Sequence, residues 1–181
     1  MSNSHSNTPD LPDGGKEIAR KWHPVVLKRF LDTWKSIFGD QLQHALSSRS
    51  ATAAFLTSPD PNFRRGALAV LANYWRPDPV LEQQYEMMLI GDDDETVRAH
   101  AASCLIELHR GDENRGLCRL LAAFVLNESE RLAVRRIAYA GILAIQGRKL
   151  EQPIWKSMKS CEAGLPEDLD WQLVRDCVRS K

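Results

Sequence analysis

The residues of this chain that suggest chemistry are an acidic run, two nearby histidines and four cysteines. The acidic run Asp92-Asp93-Asp94-Glu95 has carboxylates suited to Ca²⁺, but it lacks the ligand spacing and the glycine of a calcium-binding loop. Its place before an apolar helical pattern favours capping of a helix N-terminus instead. His100 and His109 are not at the i, i+4 spacing that puts two metal ligands on one helix face. We therefore predict no metal site and no cofactor, and interpret both histidines as solvent-exposed.

The sequence carries no common catalytic signature. It has no His-Glu dipeptide, no glycine-rich phosphate-binding loop and no Gly-X-Ser-X-Gly motif. The cysteines form no Cys-X-X-Cys pair, so we interpret them as small core residues in a reducing, cytoplasmic compartment. These cysteines are Cys104, Cys118, Cys161 and Cys177. We predict that the protein is not an enzyme.

Length and charge narrow the classes of function further. The 181 residues suffice for one domain with a substantial core, and 24 basic residues balance 24 acidic ones. A nucleic-acid-binding protein usually has a basic excess, so nucleic acid is an unlikely partner. No apolar run reaches the roughly 20 residues of a membrane helix, so no membrane association is expected.

The apolar periodicity predicts helices throughout and no strands. Residues 1–16 are rich in Ser, Asn, Pro, Asp and Gly and are predicted to be a disordered leader, followed by one domain over residues 17–181. An N-terminal helix with Trp34 and Phe38 on its apolar face should end at Gly39 and cap the domain. Residues 40–57 fit either one bent helix or two short ones. Six further helices are predicted near residues 62–75, 80–90, 94–109, 114–126, 131–145 and 168–178, with a short amphipathic piece over 152–160 and Ser129 as a helix N-cap.

Three of the predicted helices share one motif. Val97-Arg98, followed by Ala101 and Leu105, has counterparts 34 residues earlier and 37 residues later. The counterparts are Phe63-Arg64 with Ala67 and Leu71, and Val134-Arg135 with Ala138 and Ile142. Helical hairpins that repeat every ~40 residues stack to bury a continuous core, and the alanines allow close approach.

The pattern resembles the HEAT-repeat family, and more closely its bacterial HEAT-like form. The resemblance implies an all-α fold: an α-α superhelix, or solenoid, of about three to four helical hairpins. It also implies that the repeated arginine pairs with the aspartate of the preceding turn and supports the loop between helices. Glu128 or Glu130 would replace that aspartate in the third copy. An external anion-binding ladder of arginines is the less favoured alternative.

A short solenoid of this kind typically binds another protein or peptide on its concave face. If the second helix of each hairpin lines that face, the residues about two positions after the apolar residue of the motif, and those that follow at helical spacing, should face the groove. The predicted partner-binding residues are Arg65, Asn73, Ile106, Glu107, Arg136 and Tyr139. We therefore predict a non-enzymatic scaffold. The alternatives are a HEAT-like small enzyme such as a chromophore lyase, and a nucleic-acid-binding protein resembling HEAT-like DNA glycosylases.

Overall fold

The computed structural model describes residues 32–75, 78–160 and 164–179, and every regular element in these ranges is helical. The predicted all-α class is therefore confirmed for the described part of the chain. The predicted leader over 1–16, the start of the N-terminal helix and Cys161 lie outside the described residues. The chain divides into two compact units, Met1–Pro77 and Asp78–Lys181. Each unit is described by itself below, and the continuity of one domain over 17–181 stays a prediction.

The described part of the first unit contains four α-helices, α1 (residues 32–38), α2 (Leu42–Ser47), α3 (Arg49–Ala54) and α4 (Pro61–Tyr74). It also contains two 3-10 helices, Gly39–Gln41 and Phe55–Thr57. The conformation of Ser48 distinguishes the two structures predicted for residues 40–57, one bent helix or two short helices. Its backbone is extended, and its side chain accepts a hydrogen bond from Ala51 N, so two short helices form in place of a bent one. The buried Thr52 hydroxyl donates to the Ala45 carbonyl and holds α2 and α3 together.

Aromatic side chains form the core of this first unit. Trp34 and Phe38 are almost fully buried, and the Phe38 ring packs edge-on against Phe55 with centroids 5.1 Å apart. A Cβ atom on Gly66 would lie 2.8 Å from the Phe38 ring, so glycine is what allows α4 to approach these rings. The predicted burial of the aromatic residues before Gly39 is confirmed, and Gly39 has the expected positive φ of 52°.

The second unit contains α5 (Pro79–Gly91), α6 (Glu95–Leu108), α7 (Arg115–Leu126), α8 (Leu132–Ile145), α9 (Gln152–Ser160) and α10 (Trp171–Arg179). Helix α5 packs on α6, and α7 packs on α8. Helices α6 and α8 also pack on each other, and α10 packs on α7. Two consecutive helical pairs thus meet through the second helix of each pair.

Side-chain caps and glycines set the ends of these helices. Asp78 and Asp94 accept hydrogen bonds from backbone amides in the first turns of α5 and α6. Gly147, with φ of 67°, follows the end of α8 in the left-handed conformation that glycine adopts without strain. The predicted cap at Ser129 is wrong. Arg131 occupies the N-cap position of α8 without a side-chain bond, and Ser129 donates its hydroxyl proton to Asn127.

The repeated motif faces the interior, as predicted. Val97, Ala101 and Leu105 are fully buried, and so are their counterparts in α8. In the first unit Ala67 and Leu71 are fully buried while Phe63 is half-buried. A fully buried side chain at every third or fourth position is what the 3.6-residue helical period requires of a helix packed along one face. None of the described helices is long and apolar enough to cross a membrane.

Candidate ligand-binding groove

An open groove of about 490 Å³ lies between α6 and α8 in the second unit. Its floor is built from small side chains on both helices: Ser103 on α6, and Ala140, Gly141 and Ala144 on α8. Small residues bring the helix backbones together at the floor and leave empty volume above it. Ile106 and Ile137 add apolar walls. The groove therefore offers an apolar, concave surface of the kind that takes a ligand side chain.

Gly141 sets the depth of this floor. A Cβ atom at this position would lie 2.6 Å from Cγ1 of Ile106 and 3.0 Å from Cδ1 of Leu121. Real Cβ atoms do not come so close to carbon, so any larger residue would push Ile106 upward or separate the helices. The glycine thus permits both the contact between α6 and α8 and the position of the Ile106 side chain.

Charged side chains stand around the opening. Arg110 donates from Nε to Oε2 of Glu107 at 3.1 Å, and both side chains are more than half exposed. Arg148 lies 3.6 Å from Asp170, and Lys149 completes the cationic side. Three of the groove-lining residues are basic and one is acidic, and Asp170 pairs with Arg148 from outside the lining, so the opening has a small positive excess. The opening is therefore complementary to a ligand with carboxylates beside an apolar group.

Two of the six predicted partner-binding residues are buried in the structure. Tyr139 is 1% exposed, and its hydroxyl accepts a hydrogen bond from Asp170 N at 3.1 Å. The side chain therefore fixes the residue that directly precedes α10 and does not project toward a partner. Ile106 is 6% exposed and lines a wall of the groove, so it contributes a surface but no projecting contact. Both side chains are buried for the same reason. Helices α6 and α8 pack against neighbours on more than one side, so their buried face is wider than a single stripe.

The other four predicted residues are more accessible, but only Glu107 lines the groove. Arg136 on α8 is half-buried. Arg65 and Asn73 lie in the first unit, where each makes a local bond. Arg65 donates to the Asn62 side chain at 3.2 Å, and Asn73 donates to the Ala69 carbonyl at 2.7 Å. A binding role for these four residues stays a prediction.

The repeated arginines form hydrogen bonds with the backbone of the preceding segment. Such a structural role was favoured by the sequence over an external anion-binding ladder. Arg64 donates to the carbonyl oxygens of Ser58 and Pro59, and Arg98 donates to those of Asp92 and Asp93. Arg135 donates to the Val125 carbonyl at 3.0 Å. All three arginines thus bind backbone carbonyls, which lie in the preceding loop for Arg64 and Arg98 and in the last turn of α7 for Arg135.

The carboxylate partner of Arg98 differs from the expected one. Arg98 binds both oxygens of Glu130 in a fork, at 3.1 and 2.6 Å, and so links α6 to the loop before α8. Burial opposes the charge of Glu130, but the hydrogen bonds from the Arg98 side chain and the Arg131 amide, together with the charges of both arginines, outweigh it and lower the pKa of that carboxyl. Glu130 therefore serves the second arginine copy, whereas the sequence had suggested it for the third. Asp94 caps α6 through the amides of Thr96 and Val97, which confirms the capping interpretation of the acidic run.

The prediction that His109 is solvent-exposed is wrong. Its side chain is 14% exposed, with Nε2 2.6 Å from Glu82 and Nδ1 2.7 Å from Asp112. Burial opposes the imidazolium charge, but the hydrogen bonds with Asp112 and Glu82 together raise the pKa of His109. Both ring nitrogens are engaged, so neither is available to ligate a metal or accept a substrate proton. The cluster joins α5 to the turn after α6 as a charged clamp. Within the described ranges, no three His, Cys, Asp or Glu side chains gather as a metal site.

A second cavity of about 350 Å³ contains two of the cysteines. Cys118 on α7 and Cys177 on α10 line it with Arg115, Gln146, Arg148 and Glu113. The two thiols are close enough for each to shift the pKa of the other. Both are buried and free, as is Cys104, which confirms the core interpretation for these three cysteines. The pairing itself joins residues far apart in sequence, and the spacing of the cysteines contained no signal for it.

No protein-family profile and no curated protein matches the sequence, and no solved structure matches the fold.

Proposed function

We propose that this chain is a HEAT-like helical-repeat scaffold, and that it binds another protein through the groove between α6 and α8. The single observation that carries the proposal is the groove itself, with its small-residue floor and cationic opening. The packing of α5 on α6, α7 on α8 and α6 on α8 supports a stack of helical hairpins. The repeated motif at matching buried positions supports the same arrangement.

The chemistry of the groove defines the partner. The floor takes one apolar side chain or a short apolar turn, since about 490 Å³ is the volume of a small-ligand pocket and not of an extended cleft. Arg110, Arg148 and Lys149 then favour carboxylates on either side of that apolar residue. We propose a peptide segment of a partner protein in which an apolar side chain is flanked by aspartate or glutamate. The proposed role of the groove is noncovalent binding of this peptide segment.

A peptide-display selection tests this proposal and identifies the preferred peptide sequence at the same time. A random peptide library is selected on the immobilised full chain, and enriched peptides are then measured by fluorescence anisotropy. The peptides should share an apolar residue beside acidic ones. Ala140→Trp, which fills the groove, should weaken binding by at least ~10-fold, equivalent to ~1.4 kcal/mol.

The matched control uses the same substitution on another helix. Ala123 is exposed on α7 and does not line the groove, so Ala123→Trp should leave the affinity unchanged. Lys149→Glu should weaken binding more at low salt than at high salt, whereas the exposed Lys156→Glu on α9 should not. Circular dichroism checks that every variant is folded. Selected peptides that bind A140W as tightly as the unmodified chain would refute the groove as the binding site.

A further inference from the structure

The thiol pair formed by Cys118 and Cys177 has no part in the proposed peptide binding. The two residues lie on different helices, α7 and α10, that pack against each other. Both side chains line the same cavity and each thiol shifts the pKa of the other, which places the two sulfurs near each other, so bond formation between them needs only a local adjustment. Both line a cavity of about 350 Å³ that opens to solvent, so a small reagent has access to sulfurs that are otherwise buried.

We propose that Cys118 and Cys177 are a modification site, at which a low-molecular-weight disulfide oxidises the pair to an intrachain disulfide. In the first step one protein thiolate attacks a sulfur of the reagent, forming a mixed disulfide and releasing one reagent thiolate, which takes up a proton. The second protein thiol then loses its proton to solvent and attacks the protein sulfur of the mixed disulfide. A second reagent thiol leaves. Two electrons pass from the protein to the reagent, which is reduced to two thiols.

The cavity favours a particular reagent and a particular order of attack. Arg115 and Arg148 line it against a single acid, Glu113, so a reagent that carries carboxylates, such as oxidised glutathione, matches its charge. Gln146 donates from Nε2 to Sγ of Cys177 at 3.9 Å, and the neighbouring Cys118 thiol acts against the larger effect of burial on the pKa of Cys177. Both contacts stabilise a thiolate at Cys177, which we therefore assign as the attacking residue.

Burial makes this exchange slow and dependent on pH. It raises the pKa of Cys118 to about 11 and also raises that of Cys177. Because the thiolate is the nucleophile, the rate should rise about tenfold for each pH unit below the pKa of the attacking thiol. The pair should then oxidise over a prolonged exposure and not in a brief pulse.

The consequence of the bond is to fasten the C-terminal helix. In the reduced protein α10 is held by the buried side chains of Val174 and Cys177, by the bond from Asp170 to Tyr139 and by the ion pair of Asp170 with Arg148. A covalent link between α10 and α7 would remove the local opening of this short helix. Amide hydrogen exchange in α10 should therefore slow on oxidation.

The test uses the reduced full chain incubated with oxidised glutathione in the absence of air. After an acid quench, free thiols are alkylated with N-ethylmaleimide and counted by mass spectrometry, and the bond is located by peptide mapping without reduction. We expect two fewer alkylated thiols and a peptide containing Cys118 joined to one containing Cys177. Dithiothreitol should restore both thiols.

Single substitutions complete the design. C118S and C177S should each abolish the intrachain bond, whereas C104S and C161S should leave it unchanged. C118A and circular dichroism separate a loss of pairing from a failure to fold. Persistent alkylation of Cys118 and Cys177 after prolonged exposure would overturn the proposal, and so would mixed disulfides alone or bonds made only through Cys161.

Discussion

Replacing Gly141 by alanine should destabilise the second unit, although alanine is the better helix former. In a helix interior the change from glycine to alanine normally adds ~1 kcal/mol of stability. Here the new methyl group would lie 2.6 Å from Cγ1 of Ile106 and 3.0 Å from Cδ1 of Leu121. Overpacking of this kind costs ~1–3 kcal/mol. The net effect should therefore run from near zero to a loss of ~2 kcal/mol.

A double-mutant cycle with Ile106→Ala isolates the close contact from the change in helix propensity. Ile106→Ala alone should cost ~2–5 kcal/mol, because it leaves a cavity in a well-packed site. In the double variant the methyl group introduced by Gly141→Ala occupies part of that cavity, so the combined loss should be smaller than the sum of the single losses by more than ~1 kcal/mol. Equilibrium urea unfolding followed by circular dichroism measures all four free energies of unfolding.

Gly91→Ala is the matched control for this cycle. Gly91 also lies in a helix, but a Cβ atom there would meet nothing within 4 Å. The substitution should therefore be neutral or stabilising by up to ~1 kcal/mol. Single losses for Gly141 and Ile106 that add to within ~0.5 kcal/mol would refute the close contact between these residues.

Three further predictions concern the charged clusters and the thiols. Glu130→Gln should cost ~1–3 kcal/mol in urea unfolding, because it removes the charge from a largely buried fork, whereas Glu107→Gln in an exposed pair should cause no measurable change. Because the pKa of His109 is raised, its contribution to stability is fully present below its unfolded pKa of about 6.5 and is lost as pH rises through the folded pKa; His109→Gln should flatten this dependence of the urea midpoint. Oxidation of Cys118 and Cys177 should raise the free energy of unfolding by up to ~4 kcal/mol, as expected for a bond closing a loop of about 60 residues, and an unchanged midpoint would contradict it.

Helical periodicity and capping residues are local, so the sequence alone predicted them well. The buried stripe of Val97, Ala101 and Leu105 needed only the 3.6-residue period. The start of α6 could be predicted from Asp94 alone, because its side-chain oxygen accepts hydrogen bonds from the backbone amides two and three residues later. Local rules failed at Ser48, where a helix could bend or break with similar ease, and at Ser129, where a turn with Asn127 took the hydroxyl.

The candidate site was predicted only in part because it depends on how two helices meet. Ile106 and Glu107 on α6 were selected from the sequence, and both line the groove. The floor of the groove also requires Ala140 and Gly141, which α8 places opposite them. The periodicity of one helix alone places Tyr139 outward, whereas the structure buries its side chain. Packing of further helices on α8 buries it and gives its hydroxyl a partner at Asp170.

Sequence alone therefore determined the helical class, most of the helix ends and the buried face of each repeat, because these depend on residues within one or two turns of each other. Tertiary structure decided the partners of distant polar groups: Glu82 with His109, Arg98 with Glu130, and Cys118 with Cys177. Such pairs form because burial removes water from side chains that then require another polar group. Which group is available depends on the register in which packed helices meet, and a single helical pattern contains no information about that register.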